Sequence, residues 1–349
     1  MAHGHLEIAS RYRVVGDDFN GSAGGQEIRT LYLGPFSFAV SGKKIFGSMD
    51  AKTLFLATRP WSFTMTFSSV TLATLIAALA GRFNPLFYAL TLGGMIAFHA
   101  ATNLINDFYD VKHSVDKVGA PTTKYRPHPS AFGQVSPNTI RRWAALFFAV
   151  ALVAGGFLAV LTSFWIFLVI AVGLLGSFFY TADPVVLKSK ALGEVTVFVM
   201  WGLLIPLGSY LAQTSRLAVQ PVLSSVPIGI LVTLVILANN IRDTEYDGSM
   251  TADTLAVRFG RNSAVKLYGA LLFLTYAFIP ALIVARVLPL WCLITLLTVP
   301  NAAGLWRMFG GAIPDNADPR TAGVALRFSI LYMAAFILQI YLPLRLFGL

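Results

Sequence analysis

Cysteine and charge are what this 349-residue chain has least of. Its single cysteine, Cys292, lies in an apolar run, which excludes an intramolecular disulfide and any metal centre built on thiolates. Charged residues make up 12% of the chain against 56% hydrophobic, with a mean hydropathy of +0.70. A soluble globular domain carries about twice that share of charge. Acids are scarcer than bases, 16 against 26. No signal-peptide core is found in residues 1–52. No Asp, Glu, Lys or Arg stands near the centre of a long apolar run. That argues against a secondary transporter, whose ionisable groups and broken helices sit at mid-bilayer.

What the chain does have is long apolar runs. Nine can be read, at 61–80, 86–109, 141–160, 164–182, 192–212, 224–242, 264–285, 287–305 and 325–345. A bilayer core of about 30 Å asks for roughly 20 such residues per helix. Pro206 and Pro280 fall inside runs, where membrane helices tolerate them if neighbours satisfy the freed carbonyls; Pro227 and Pro300 fall near run ends. The expected fold is an all-α integral membrane protein of nine transmembrane helices. Residues 1–52 are Gly-rich and polar without a sustained apolar period, and are expected to form a flexible N-terminal segment before a membrane domain at 53–349. His3 and His5, in that segment, read as incidental rather than as a metal pair. Arg59 and Trp61 mark a lead-in at the lipid headgroups, and Gly93-Gly94 and Gly155-Gly156 read as close helix contacts.

Charge placement sets the topology. With the N-terminus inside, every Lys and Arg except Arg82, Arg216, Arg286 and Arg345 falls on the inner side, as does every Asp and Glu. The positive-inside rule then makes the N-terminus and the acidic clusters cytoplasmic, in an expected multi-pass protein of the cell (plasma) membrane. The basic residues are spread over several inner segments, which suits anionic lipid and excludes a nucleic-acid partner.

Two stretches concentrate the scarce acids: Asn103-Leu-Ile-Asn106-Asp107-Phe-Tyr-Asp110, followed by Asp116, and Asn239-Asn240-Ile-Arg242-Asp243-Thr-Glu245-Tyr-Asp247. Each ends an apolar helix. A uniform shift of the chain places Asn103 on Asn239 and Asp107 on Asp243, so helices 1–4 and 5–8 read as related halves with a ninth helix added, facing each other across a central cavity. Positions three and four apart share a helix face. Asn103, Asn106, Asp107 and Asp110 therefore form one polar face, and Asn239, Asp243 and Asp247 repeat at i, i+4, i+8. Solvated loop carboxylates would account for one such cluster, but poorly for two at matched positions, because helix C-termini disfavour anions. Opposed oxygen-rich faces suit Mg2+ and, behind it, a diphosphate.

Asn106-Asp107-x-x-Asp110 with Asp243-x-x-x-Asp247 resembles the paired aspartate motifs of the UbiA-type intramembrane prenyltransferase superfamily. The likeness runs from about Arg59 to Gly260. It is most similar to the menaquinone branch (1,4-dihydroxy-2-naphthoate polyprenyltransferases and their vitamin K2-forming animal relative). The stretches that carry this are Arg59-Pro60-Trp61-Ser62-Phe63, Tyr180-Thr181, Leu192-Gly193-Glu194 through Tyr210-x-x-Gln213-Thr214, Asn240-x-Arg242-Asp243-x-Glu245 and Thr254 through Gly260. The chain departs from the pattern at Ser114, where the superfamily often has an Asp and where Asp116 stands in two residues later. Arg126-Pro127, Gly133 and Ser136 look more like the hydroxybenzoate and geranylgeranylglyceryl-phosphate branches.

The resemblance implies Mg2+-dependent transfer of an isoprenyl chain from a prenyl diphosphate to an aromatic acceptor, dihydroxynaphthoate-like by preference, with hydroxybenzoate or geranylgeranylglyceryl phosphate as alternatives. It implies that Asp107, Asp110, Asp243 and Asp247 are catalytic and, with Asn106, hold the metal. Substrate contacts would come from Asn103, Asp116, Lys124, Arg126, Tyr180, Lys188, Tyr210, Asn239 and Arg242. Tyr109, Phe179, Tyr180, Tyr210 and Tyr246 are the aromatic candidates to steady an allylic cation. His99, one turn before Asn103, reads equally as a site residue or as a hydrogen bond between helices. Intact motifs argue against a non-enzymatic scaffold.

Overall fold

The computed structural model describes residues 29–33, 36–40, 50–113, 121–124, 128–129, 131–250 and 252–344. Asp116 and Arg126 lie outside them, as does the side chain of Lys124. The chain divides into two units, Met1–Ser48 and Met49–Leu349. In the first, β1 (Arg29–Leu33) pairs antiparallel with β2 (Phe36–Val40), Leu33 opposite Phe36 and Arg29 opposite Val40.

The second unit is helical. It comprises α1 (Ala51–Ala57), α2 (Pro60–Leu79), α3 (Pro85–Lys112), α4 (Pro137–Leu161), α5 (Trp165–Thr181), α6 (Gly193–Thr214), α7 (Gln220–Ser249), α8 (Leu255–Phe259), α9 (Arg261–Val284), α10 (Leu290–Phe309) and α11 (Ala317–Tyr341). Among the described residues eight helices, α2–α4, α6, α7 and α9–α11, are long and apolar enough to cross a membrane. The apolar run read at 164–182 corresponds to α5, which is shorter at 17 residues.

Local chemistry starts these helices where the sequence says it should. Asn84 caps α3, its Oδ1 accepting from the amides of Leu86 (2.9 Å) and Phe87 (3.2 Å), and Pro85 fills the first position, where no amide hydrogen is needed. Ser136 and Pro137 do the same for α4. Two helices change winding at a proline. The middle of α6 widens to π-type turns (Val199–Leu204) just before Pro206, and the first half of α10 is tight 3-10 turns (Leu290–Thr298) up to Pro300. A proline cannot donate to the preceding turn, so a change of ladder there loses little.

Helix α7 is the spine. Of its most apolar window 78% is buried within the protein, against 22% for α3. It packs on α2, α6, α9 and α11. Against α6 it comes so close at Gly229 that a Cβ there would lie 2.5 Å from the Gly202 Cα. Buried Tyr268 and Tyr332 bring their hydroxyls into the core with partners, Thr321 Oγ1 at 2.9 Å and the Ser224 carbonyl at 2.8 Å. Helices α3 and α4 run side by side. Gln213, near the end of α6, accepts from the Asn84 amide (2.7 Å) and donates to its carbonyl (3.2 Å), fastening the α2–α3 connection.

Candidate active site

A cavity of about 650 Å³ opens between α2, α3, α5, α6 and α7. Along α3 its lining runs from Leu90 to Asp110 at helical spacing, a length of about 30 Å at 1.5 Å per residue. The Leu90 end is apolar, walled by residues such as Met95, Phe98, Leu158, Ile170 and Met200. The other end carries the chemistry: Asn106 and Asp110 from α3, Asn239, Asp243 and Asp247 from α7, and Arg59 and Lys188 from loops. Both helices extend past the apolar runs, to Lys112 and Ser249, so both motifs are wound as helix.

Each polar side chain at this end has a partner that orients it. Arg59 takes a left-handed backbone conformation (φ 55°) before Pro60 and ion-pairs with Asp107. Asn103 braces that turn from α3, donating to the Thr58 carbonyl (2.8 Å) and to Ser62 Oγ (3.2 Å). Asp107 is buried behind Arg59 and is not itself part of the lining. Lys188 donates to Asn106 Oδ1 (2.9 Å) and ion-pairs with Asp110, whose Oδ2 accepts from Asn106 at 2.6 Å. The segment that presents Lys188 turns through left-handed residues at Val186 and Ala191. It passes so near α6 that a Cβ on Gly193 would meet the Lys188 Cα at 3.2 Å, and glycine there permits the approach. The next residue, Glu194, accepts from Asn240 at 2.8 Å. Lys112, at the end of α3 (2.9 Å), and His113 (3.2 Å) both reach Asp183, outside the membrane-spanning helices, holding its carboxyl below the ordinary range and tying the end of α3 to the chain after α5.

On α7, Arg242 grips Asp243 with two bonds of 2.6 Å, Nε to Oδ1 and Nη2 to Oδ2, and Nη2 also donates to Asn239 Oδ1 at 2.8 Å. Arg242 is buried and does not line the cavity. Tyr180 and Tyr246 do, whereas Tyr109, Phe179 and Tyr210 do not; Tyr210 packs in the main apolar core. His99 joins helices: its Nδ1 is 2.8 Å from Thr66 Oγ1, its Nε2 3.2 Å from Ser62 Oγ, and its ring meets Trp201 edge-on at 5.1 Å. Sequence reasoning passed over Trp201, Phe98 and Asp318 as lining residues and took Arg59 for a headgroup anchor.

The donor set is all hard oxygen, amide and carboxylate, which fits Mg2+ and not a thiophilic ion. No cluster of three or more His, Cys, Asp or Glu gathers into a ready-made metal cage among the described residues. The acids are balanced by cations instead, Asp107 by Arg59, Asp110 by Lys188 and Asp243 by Arg242.

The sequence profile described as the UbiA prenyltransferase family matches residues 67–342. The 1,4-dihydroxy-2-naphthoate octaprenyltransferase of Bacillus subtilis is 29% identical over 253 residues, covering 71% of this chain and 79% of that protein. The UbiA prenyltransferase domain-containing protein 1 of Gallus gallus is 30% identical over 283 residues, covering 80% and 82%. Among solved structures, a UbiA homolog from Archaeoglobus fulgidus bound to DMAPP and Mg2+ superposes with a TM-score of 0.57 at 14% identity, covering 84% of this chain and all of that one.

Proposed function

The chain belongs to the UbiA prenyltransferase family and is a multi-pass membrane prenyltransferase, and from that premise we propose that it carries out Mg2+-dependent transfer of an isoprenyl chain from a prenyl diphosphate to a dihydroxynaphthoate-like aromatic acceptor. One observation carries the reading: two oxygen-rich helix ends and two loop cations converge at one end of a cavity whose remaining length is mainly apolar. Asn106, Asp110, Asp243 and Asp247 would hold the metal, with Asp107 keeping Arg59 in place. When bound, the ion neutralises diphosphate and improves it as a leaving group. Arg59 and Lys188 face the same space and supply charge-assisted bonds to diphosphate oxygens. The apolar length receives the isoprenoid tail and keeps water from the allylic cation as it forms. The faces of Trp201 and Tyr180 stabilise that cation. An electron-rich ring carbon of the acceptor then bonds to the prenyl C1, and the proton on that carbon, or carbon dioxide from a carboxylated naphthol, is lost.

The naphthoate preference rests on the likeness to the Bacillus subtilis enzyme and on the aromatic side chains Phe98, Tyr180 and Trp201 in the cavity lining, which suit a flat aromatic acceptor. Competition kinetics with dihydroxynaphthoate, hydroxybenzoate and geranylgeranylglyceryl phosphate together test it. The highest kcat/KM belongs to the naphthoate; a higher value for the glycerol phosphate overturns the acceptor and leaves the reaction class. We further propose nine membrane crossings, α5 among them, in two related halves about this cavity, in the plasma membrane with the polar end cytoplasmic. Residues 1–52 then form a cytoplasmic N-terminal segment. With Cys292→Ser as background, Asn138→Cys and Arg216→Cys label from opposite faces of sealed vesicles; labelling from one face contradicts the crossing count between them.

A further inference from the structure

Arg242 has five N–H donors, and five acceptors surround them. Nε and Nη2 hold the two Asp243 oxygens, Nη2 also holds Asn239 Oδ1, and Nη1 donates to the Asp315 carbonyl (2.9 Å) and to Asp318 Oδ1. The guanidinium therefore has no donor left for a diphosphate. Its side chain is 5% exposed, that of Asp243 4% and that of Asp318 16%. Asn239, Asp243 and Asp318 all line the cavity, while Arg242 stands behind them. The aspartate and the carbonyl that complete the cage come from one short segment, the chain entering α11 and its first turn. That helix lies 76 residues beyond Arg242 in sequence and outside both acidic motifs.

We infer that Asp318, through Arg242, is a positioning residue of the metal–diphosphate site, fixing the Asp243 carboxylate and the Asn239 amide toward the cavity. The inference rests on the metal reading given above. Physically, a lone Arg242 beside Asp243 would be free to swing and to pull the carboxylate with it. Pinning Nη1 to α11 leaves the guanidinium one orientation, and with it the carboxylate. A simple favourable charge at a helix N-terminus is the plainer account of Asp318. It does not account for a largely buried side chain spent on a cation that also holds Asp243 and Asn239, both of which line the cavity.

The test is Mn2+ binding to the full-length protein in detergent, with geranylgeranyl diphosphate present and no acceptor, followed by electron paramagnetic resonance of the free ion. Supporting partners of metal ligands typically control 10- to 100-fold in affinity, so Asp318→Asn is expected to raise the Mn2+ midpoint by about that factor, with elution volume and unfolding temperature near wild type. Asp318→Glu, which keeps the ion pair, recovers most of the loss. Arg242→Lys keeps the charge but not the fork; it shows a similar loss, and the double variant is no worse than the weaker single one. Arg320→Gln, on the same turn but bonded to Asn316, leaves the midpoint unmoved. An unchanged midpoint in Asp318→Asn, or an equal shift in Arg320→Gln, overturns the inference alone. A wild type that does not hold Mn2+ overturns the metal reading and this inference with it.

Discussion

On α3, Asp107 and Asp110 are met by Arg59 and Lys188, cations brought by loops from elsewhere in the chain; on α7, Asp243 is met by Arg242, its immediate neighbour. Arg59 and Lys188 line the cavity, and Arg242 does not. Near-identical motifs are thus supplied with charge in opposite ways. The α3 cations stand in front of their carboxylates, where diphosphate would meet them. The α7 cation stands behind, in a cage closed by α11. The helices differ to match: most of the apolar window of α7 is buried within the protein, and little of that of α3. A repeated motif reports which groups touch the ligand and leaves open which groups support them.

The largest expected effect treats the two helices alike. Asp110→Ala and Asp247→Ala each lower kcat on the order of 100- to 1,000-fold, the scale for removing one group that stabilises developing charge. Each variant elutes as folded protein. A near-normal rate in either removes that helix from the site. The next effect separates the helices. Lys188→Met forfeits charge-assisted bonds worth about 1.5–3 kcal/mol and raises the prenyl diphosphate KM by about 10- to 100-fold. At the same time it relieves Asp110 of a competing cation, so the ion alone binds more tightly. Arg242→Lys weakens ion binding instead. If both variants act in the same direction, the front-and-behind distinction is lost. The smallest effect concerns packing. Gly229→Ala forces α7 off Gly202 backbone and costs about 1–3 kcal/mol, whereas Gly94→Ala meets the Ala154 Cβ at 3.1 Å and the Ala151 carbonyl at an ordinary 3.8 Å and costs less. Unfolding temperatures in detergent rank the two; the reverse order contradicts the placement of α7 as the spine.

Eight of the nine apolar runs coincide with helices long enough to span, and most of the two polar faces lines the cavity, because each rests on a local rule, bilayer length for one and helical spacing for the other. Helix ends were less legible. The apolar run at 325–345 marks the lipid-matched part of α11, yet the helix starts at Ala317, and the extra turns are the ones that bring Asp318 to Arg242. Likewise the apolar run at 224–242 stops short of Asp243 and Asp247, while α7 continues to Ser249. Hydropathy measures what lipid tolerates, not where hydrogen bonding stops. Arg59 and Lys188 pair across 48 and 78 residues, and their presentation depends on left-handed turns at Arg59, Val186 and Ala191 that no propensity favours in non-glycine residues. Tyr210 read as a substrate contact because its neighbourhood carries the family likeness, but it faces the apolar core.

The central claim is that ions held between the two helix ends make diphosphate leave. It is tested most directly by following diphosphate release from geranylgeranyl diphosphate, in the wild-type protein, with dihydroxynaphthoate present and Mg2+ titrated back after EDTA. The account predicts no release in EDTA and full recovery with Mg2+, with that recovery lost in Asp110→Ala and in Asp247→Ala. Full release in EDTA would contradict it.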